Sequence, residues 1–349
     1  MIIVFVIDMY DQSTNGTSTS ARRFAFYLRQ RGHEVRIVST GCQESGKYVV
    51  SVWRIPLVEH FAKKQHFIFA KAEEAPLRQA LRGADIAHLF LPMPLERKAL
   101  RIACELGVPC SAAFHLQPEN ITYNIHLGHA EWLSRWIYKI MLDRFYCRVT
   151  HIHCPSAFIA RQLETNHYQA KLHVISNGIT ADFKPGQSEE ARHDGDFHIL
   201  MIGRLSPEKR QDLLIKAVEL SPYRGKIHIH FAGLGPCEKH LRRLGADLDQ
   251  PPTFGFYGKN DLIRLIRSCD LYVHASDVDI EAISCLEAMA CGLVPIISDW
   301  IEHPQERLRL AADYARIPGR CQIAACVKQA EAMFDETIAD ARKVNRKGT

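Results

Sequence analysis

Four stretches of the chain combine residue types and spacings that suit the handling of anions and hydroxyl groups. In Tyr10-Asp-Gln-Ser-Thr-Asn-Gly-Thr-Ser18, Gly16 and Thr17 stand just ahead of a helical pattern, where backbone N–H groups can face an anion. An ordinary capped turn accounts for the same residues. No lysine follows the glycine, so this is not a G-x-x-x-x-G-K-[ST] phosphate loop. In Met201-Ile-Gly-Arg-Leu-Ser-Pro-Glu-Lys-Arg210, a strand runs out at Gly203 and a helix begins after Pro207. Arg204 and Lys209 flank that turn, where both cations could converge on one diphosphate, or simply be solvated.

The third stretch, Asp279-Ile-Glu-Ala-Ile-Ser-Cys-Leu-Glu287, leads into Ala-Met-Ala-Cys-Gly292. Asp279 and Glu281 precede a helix that contains Glu287, and Ala282, Ile283 and Ser284 would offer N–H groups at its first turn. Carboxylates beside an anion site repel it, so these should face hydroxyls such as those of a sugar or a ribose. Helix capping or a solvated helix face is the competing account. In the fourth, Phe114-His-Leu-Gln-Pro-Glu-Asn-Ile-Thr122, His115 follows a strand and would reach a cleft, and Pro118 is expected to delay helix formation. A chain with 18 histidines also has structural ones.

The elements that must position these residues are short β-branched runs alternating with longer amphipathic stretches, the pattern of parallel sheets covered by helices. Strands are expected at Ile2–Ile7, Glu34–Ser39, Val50–Arg54, Ile86–Phe90, Ser111–Phe114, Ile152–Pro155 and Leu172–Ile175. Helices fall at Ser18–Gln30, Leu95–Leu106, Trp132–Cys147 and Ser156–Glu164, the first stopped by Gly32. The polar run 181–196 reads as a linker between a first domain (1–180) and a second (197–349). Beyond it come strands His198–Ile202, Lys226–Ala232, Thr253–Tyr257, Leu271–Ala275 and Val294–Ile297. Helices Gln211–Leu220, Asp261–Ser268 and Ala282–Ala290 intervene. The expected fold class is α/β, with two doubly wound, Rossmann-like domains facing across a cleft lined by carboxyl strand ends.

Composition narrows the classes further. A chain of 349 residues suits two domains, and 47% hydrophobic with 24% charged residues excludes a disordered protein. The net charge of +5 suits an anionic ligand or surface but is too weak to indicate a nucleic-acid binder. No apolar run reaches the roughly 18 residues of a spanning helix. The apolar start, Met1 to Asp8, has no basic flank and reads as a buried strand rather than a signal peptide. The 11 cysteines form no C-x-x-C pair, and those in apolar stretches, such as Cys104, Cys285 and Cys291, read as reduced core thiols of a cytoplasmic protein.

Taken together and in order, these pieces resemble the family-4 retaining glycosyltransferases of the GT-B fold over nearly the full chain. The matching residues are Asn15-Gly16-Thr17, His115, Ser176-Asn-Gly-Ile179 and Gly203-Arg-Leu with Glu208-Lys209. Phe231-Ala-Gly-Leu-Gly-Pro236, Phe256-Tyr-Gly258 and the acidic segment ending at Gly292 complete the set. The resemblance implies that Gly16 and Thr17 pack against a donor diphosphate, that Gly203 and Gly233 belong to the donor site, and that Arg204 and Lys209 neutralise the diphosphate as the sugar leaves. It places Glu287 on the ribose, Asp279 near the transferred sugar, His115 on a sugar hydroxyl, and Tyr257 and Gly258 near the base. Asp279 is one methylene shorter than the family's usual glutamate, and Glu281 is an alternative. After Ile297 about 30 residues, roughly one strand–helix unit, are missing from the family pattern, so the second domain reads as shortened.

The resemblance implies a UDP-sugar, with glucose or galactose, as substrate rather than cofactor. No aspartate pair is assigned as a D-x-D metal anchor, and a metal-independent reaction is expected. Lys63, Lys64 and Lys71 among aromatics, and Trp132, Trp136 and Lys139 at helical spacing, suit an anionic lipid surface or a buried helix face. The acidic and His115 segments look most like bacterial enzymes that glucosylate diacylglycerol. A lipid acceptor and a peripheral position on the inner face of the cell membrane are therefore expected. A polysaccharide glycosyltransferase, or an inactive sugar-nucleotide-binding protein, stands as the alternative.

Overall fold

A computed structural model describes residues 1–12, 15–54, 67–124, 127, 130–186, 195–297 and 321–347. Its strands fall into two parallel sheets, one of seven strands and one of five. In the first sheet they are β1 (Ile2–Val6), β2 (Glu34–Ser39), β3 (Lys47–Val49), β4 (Ile86–Leu89), β5 (Cys110–Ala113), β6 (His151–Cys154) and β7 (Lys171–Val174). Their order is β3-β2-β1-β4-β5-β6-β7. The second sheet holds β8 (Phe197–Ile202), β9 (Ile227–Ala232), β10 (Thr253–Gly255), β11 (Leu271–His274) and β12 (Val294–Ile297), ordered β10-β9-β8-β11-β12. Both orders reverse beside their first strand, at β1/β4 and at β8/β11, which is where open α/β sheets bind ligands.

β1 is a central strand, paired with both β2 and β4. That explains its unbroken apolar run: a parallel strand covered on both faces has no solvent side to alternate with. The helix that follows, α1 (Gly16–Gln30), is capped by Asn15, whose side chain accepts from the N–H groups of Thr17 and Ser18. Gly32, at φ 85°, ends it as expected. α2 (Glu74–Leu81), α3 (Pro94–Leu106), α4 (Pro118–Asn124), α5 (Glu131–Arg144) and α6 (Ala157–Thr165) complete this half. Two expectations are corrected here. The strand assigned to Val50–Arg54 lies earlier, at Lys47–Val49, with Val52 making an isolated bridge to Ala70. Pro118 starts a helix rather than delaying one, because a proline in the first turn lacks only an N–H that has no helical partner anyway.

In the second sheet the connections are α7 (Gln211–Glu219), α8 (Glu238–Leu244), α9 (Lys259–Ser268) and α10 (Ile283–Ala290). The last helix, α11 (Ile323–Lys347), buries Cys326, Val327, Ala330, Met333 and Phe334 in the same apolar cluster as Ile3, Phe5 and Phe24. It therefore belongs to the first compact unit, which comprises Met1–Pro118, Ala130–Gly178 and Ile323–Thr349; the second comprises Glu119–His129 and Ile179–Gln322. These units differ from the expected 1–180, 181–196 and 197–349 in placing Ile323–Thr349 with the first and Glu119–His129 with the second. Part of the expected linker is also core: Phe183 is buried with Tyr272 and Leu286. Gly178 marks the crossing, since a Cβ there, at φ 76°, would lie 2.9 Å from the Cα of Ile323.

All 11 cysteines are free. Cys285 and Cys291 are buried as expected, whereas Cys104 is exposed on the outer face of α3. Among the described residues no helix is long and apolar enough to cross a membrane. The segment after Ile297, Lys63 and Lys64 lie outside the described residues.

Candidate active site

The second sheet assembles its candidate residues where the strand order reverses. The loops leaving β8, β9 and β10 are knitted together by backbone hydrogen bonds: Gly203 N–H to Ala232 at 3.0 Å, Gly233 N–H to Gly255 at 2.8 Å, and Leu205 N–H to Leu234 at 3.1 Å. A Cβ on Gly233 would lie 1.9 Å from the carbonyl oxygen of Gly203, so only glycine permits this approach. Tyr257 lies over Gly255, where a Cβ would meet its hydroxyl at 2.7 Å, and Gly258 precedes α9.

Within this frame Lys209 Nζ donates to Asp279 Oδ2 at 2.6 Å, and His274 Nε2 lies 3.0 Å from the same oxygen. Burial pushes the Asp279 carboxyl up, but Lys209 and His274 outweigh it and hold the pKa at about 2. The carboxylate is thus fixed as an anion, yet Lys209 and Asp279 keep 20% and 26% of their side chains open to solvent. Behind them Tyr272 is wholly buried; its hydroxyl contacts Ser284 at 2.8 Å and His274 at 3.4 Å. Burial, and then the thiol of Cys285, raises that phenol's pKa, and the charges of Asp279 and Glu287 add to the effect. Arg204 lies on the same loop, its guanidinium pKa lowered by burial and partly restored by Glu208. Gln211 donates to the Arg204 carbonyl at 2.8 Å, fixing that turn.

The first turn of α10 differs from expectation at one N–H group. The N–H of Ile283 donates back to the Glu281 carbonyl at 2.9 Å, so it is not presented to a ligand. The Ser284 hydroxyl turns into the sheet, between Tyr272 and the Ile202 carbonyl. Ala282 caps the helix, and Glu287 lies 7% exposed within it.

The remaining candidates belong to the first unit. The N–H of Thr17 is taken by Asn15 at 2.9 Å, so the start of α1 is a side-chain-capped turn, while a Cβ on Gly16 would meet open space. His115 is 6% exposed, stacked on Phe90 with ring centroids 5.7 Å apart and edge-on to His153. Burial, with His153 alongside, holds its pKa well below the ordinary range, so the imidazole is neutral. Its Nε2, like Oε1 of the buried Gln117, has no hydrogen-bond partner among the described residues. Buried polar atoms of this kind await a ligand or water.

Sequence reasoning missed His274, Gln117 and a second ion pair. Asp277 accepts from Arg210 at 3.0 Å and from the Tyr123 hydroxyl at 2.5 Å, which ties α4 to the loop after β11. Arg210 sits at φ 53°, a left-handed position that no sequence signal marks. Asp277 and Asp279 have D-x-D spacing, which departs from the expectation that no aspartate pair reads as such an anchor. Their carboxylates face different cations, Arg210 and Lys209.

The profile of Glycosyltransferase Family 4 matches residues 14–183, and that of Glycosyl transferases group 1 matches 183–340. The chain belongs to this glycosyltransferase family. No curated protein matches it in sequence. Sucrose-phosphate synthase from Thermosynechococcus elongatus superposes with a TM-score of 0.63 at 14% identity, covering 99% of this chain and 98% of that one. HepE from Anabaena, solved with UDP-glucose, gives 0.59 at 16% identity over 99% and 100%. The pneumococcal O-GlcNAc transferase GtfA, solved with UDP and GlcNAc, gives 0.59 at 12% identity over 99% of each chain. The glycosyltransferase thus has the GT-B-like fold of these enzymes, and as a family member it moves a sugar from a nucleotide sugar.

Proposed function

We propose that this glycosyltransferase moves a hexose, from UDP-glucose or UDP-galactose, to a lipid hydroxyl such as that of diacylglycerol, with retention and without a metal ion. The observation that carries the reading is the Lys209–Asp279–His274 group beside Gly203 at the sheet's reversal point. An ammonium has three donors. Lys209 can keep Asp279 and still reach a phosphate oxygen, with Arg204 on the same loop adding a second cation. The acceptor oxygen bonds to the anomeric carbon as the carbon–phosphate oxygen bond breaks on the same face. The acceptor's proton passes to the departing phosphate, whose growing charge the two cations stabilise. Asp279 faces sugar hydroxyls, Glu287 the ribose, Tyr257 and Gly258 the base, and neutral His115 a sugar hydroxyl. Gly16 and Thr17 would approach the diphosphate, and Glu281 is a second carboxylate for the sugar.

The lipid acceptor rests on α5. Trp132 and Trp136, one turn apart, are 71% and 57% exposed, and Lys139 is exposed beside them. Exposed tryptophans with a basic neighbour suit a membrane interface, and they exclude the buried-face account of these residues. A donor screen of UDP- and GDP-sugars against a bacterial lipid extract, read by mass spectrometry, tests the proposal. A lipid-dependent hexosyl product with UDP release is expected. A product on polysaccharide alone overturns the lipid acceptor, and donor binding without turnover overturns the transferase.

A further inference from the structure

At the outer edge of the seven-stranded sheet, away from the residues of the proposed transfer, His151 on β6 and His173 on β7 approach each other. Parallel pairing sets His151 opposite Lys171 and His153 opposite His173, so the period of two puts His151 and His173 on one face as diagonal neighbours. His151 Nδ1 lies 2.9 Å from His173 Nε2. α11 crosses this face, anchored by Phe334 and Ile338, and carries Glu336 and Asp340 one turn apart. One ligand atom from each of His151, His173 and Glu336 lies within 4.8 Å of the others.

The far side of His151 is also built. Its Nε2 lies 3.3 Å from Asp340 Oδ2, and the residue is 1% exposed. A proton on Nε2, shared with that carboxylate, leaves Nδ1 as a lone pair aimed at His173. This is how metal-binding histidines are commonly oriented: one nitrogen on the ion, the other donating to a carboxylate. We propose that His151, His173 and Glu336 bind a divalent transition-metal ion of the zinc class, with Asp340 orienting His151. Two imidazoles and one carboxylate favour such an ion over magnesium or calcium.

Zn–N bonds of about 2.0–2.1 Å at a tetrahedral angle need nitrogens about 3.3 Å apart, so the histidine gap must open by only a few tenths of an ångström. Lys171 pairs with Glu336 and must release it, a weak competitor because both groups are solvent-screened. Three protein ligands leave a fourth position for water. The bound ion clamps the C-terminal helix to the edge strand, so it stabilises this unit by linkage. The site is independent of the transfer chemistry.

The full-length chain, stripped of metal with chelator, is titrated with Zn2+ in a calorimeter and with Co2+ by visible absorption. One tight ion per chain is expected, with a four-coordinate Co2+ spectrum and a raised Tm. His173→Ala and Glu336→Ala, at half-buried positions, should each weaken Zn2+ binding at least ~100-fold, and Asp340→Asn about 10–100-fold at unchanged stoichiometry. Circular dichroism of the metal-free variants checks that they fold. Absence of a tight ion in the wild type overturns the proposal. So does tight binding that survives His173→Ala, which would place the ion elsewhere, for example on the stacked His198, His228 and His230.

Discussion

Beyond β1 and β4 of the first sheet, Asp8 and Glu96 are wholly buried, and burial raises both carboxyls: Asp8 to about 6, Glu96 well above its ordinary value. At the corresponding ends of β8 and β11 in the second sheet, Asp279 is held at about 2 by Lys209 and His274, with its charge reaching solvent. Both positions are reversal points of the strand order. One sheet closes its reversal point with acids that burial drives toward neutrality; the other keeps a matched pair of charges accessible. Topology supplies the location, and local electrostatics decides whether it serves as core or as a place for an anionic ligand.

The sharpest way to break this contrast is Lys209→Ala. Removing a cation aimed at charge that develops during transfer should lower kcat by about 10²–10³, measured as UDP release. The fold should survive, since the side chain is partly exposed. Wild-type kinetics would show that the paired charges in the second sheet are as structural as the buried acids of the first. Next comes Glu287→Ala. Losing the carboxylate that accepts from a ribose hydroxyl should weaken donor binding by about 10- to 100-fold in calorimetry, with a smaller effect on kcat. Unchanged affinity would confine Glu287 to holding α10.

Much of this contrast was legible in the residues. The unbroken apolar run of β1 announced a central parallel strand, and Gly203, Lys209 and the acidic segment marked the loops around the second reversal point. Other parts were not legible, for physical reasons. Glu74–Leu81 and Glu238–Leu244 are helices of about two turns, too short for a clear period, and the second is also rich in charge. The amphipathic face of α11 says that something covers it but not which core, so its membership of the first unit emerged from the fold. His274 ends a strand five residues before Asp279, and nothing in their spacing predicts that the loop folds back to join them.

A third test concerns surface rather than core. Replacing Trp136 and Lys139 together by glutamate should reduce binding to anionic vesicles about tenfold, from one lost interfacial aromatic and a reversed charge. Sedimentation equal to wild type would detach α5 from any membrane role. Turnover of a water-soluble acceptor should be unaffected, which separates this surface from the charges at the second sheet.

The smallest effect sharpens the comparison most directly, because the two acids predict opposite pH dependences. Asp8 has a folded pKa of about 6 against 3.8 unfolded, so between those values the folded chain holds a proton that the unfolded chain has lost. Stability from this group is therefore present below pH 4 and declines as pH rises through 6. Asp279 has a folded pKa of about 2 against 3.8, so its contribution is present above pH 4 and is lost as pH falls toward 2. Urea unfolding from pH 4 to 8 should reveal the first slope, on the order of 1 kcal/mol per pH unit between the two pKa values. Asp8→Asn should flatten it, since the variant removes the group that burial holds protonated, while Asp279→Asn should leave it unchanged. If Asp8→Asn leaves the slope intact, burial of this acid is not its source. If Asp279→Asn removes it, the slope does not arise from the buried acids of the first sheet.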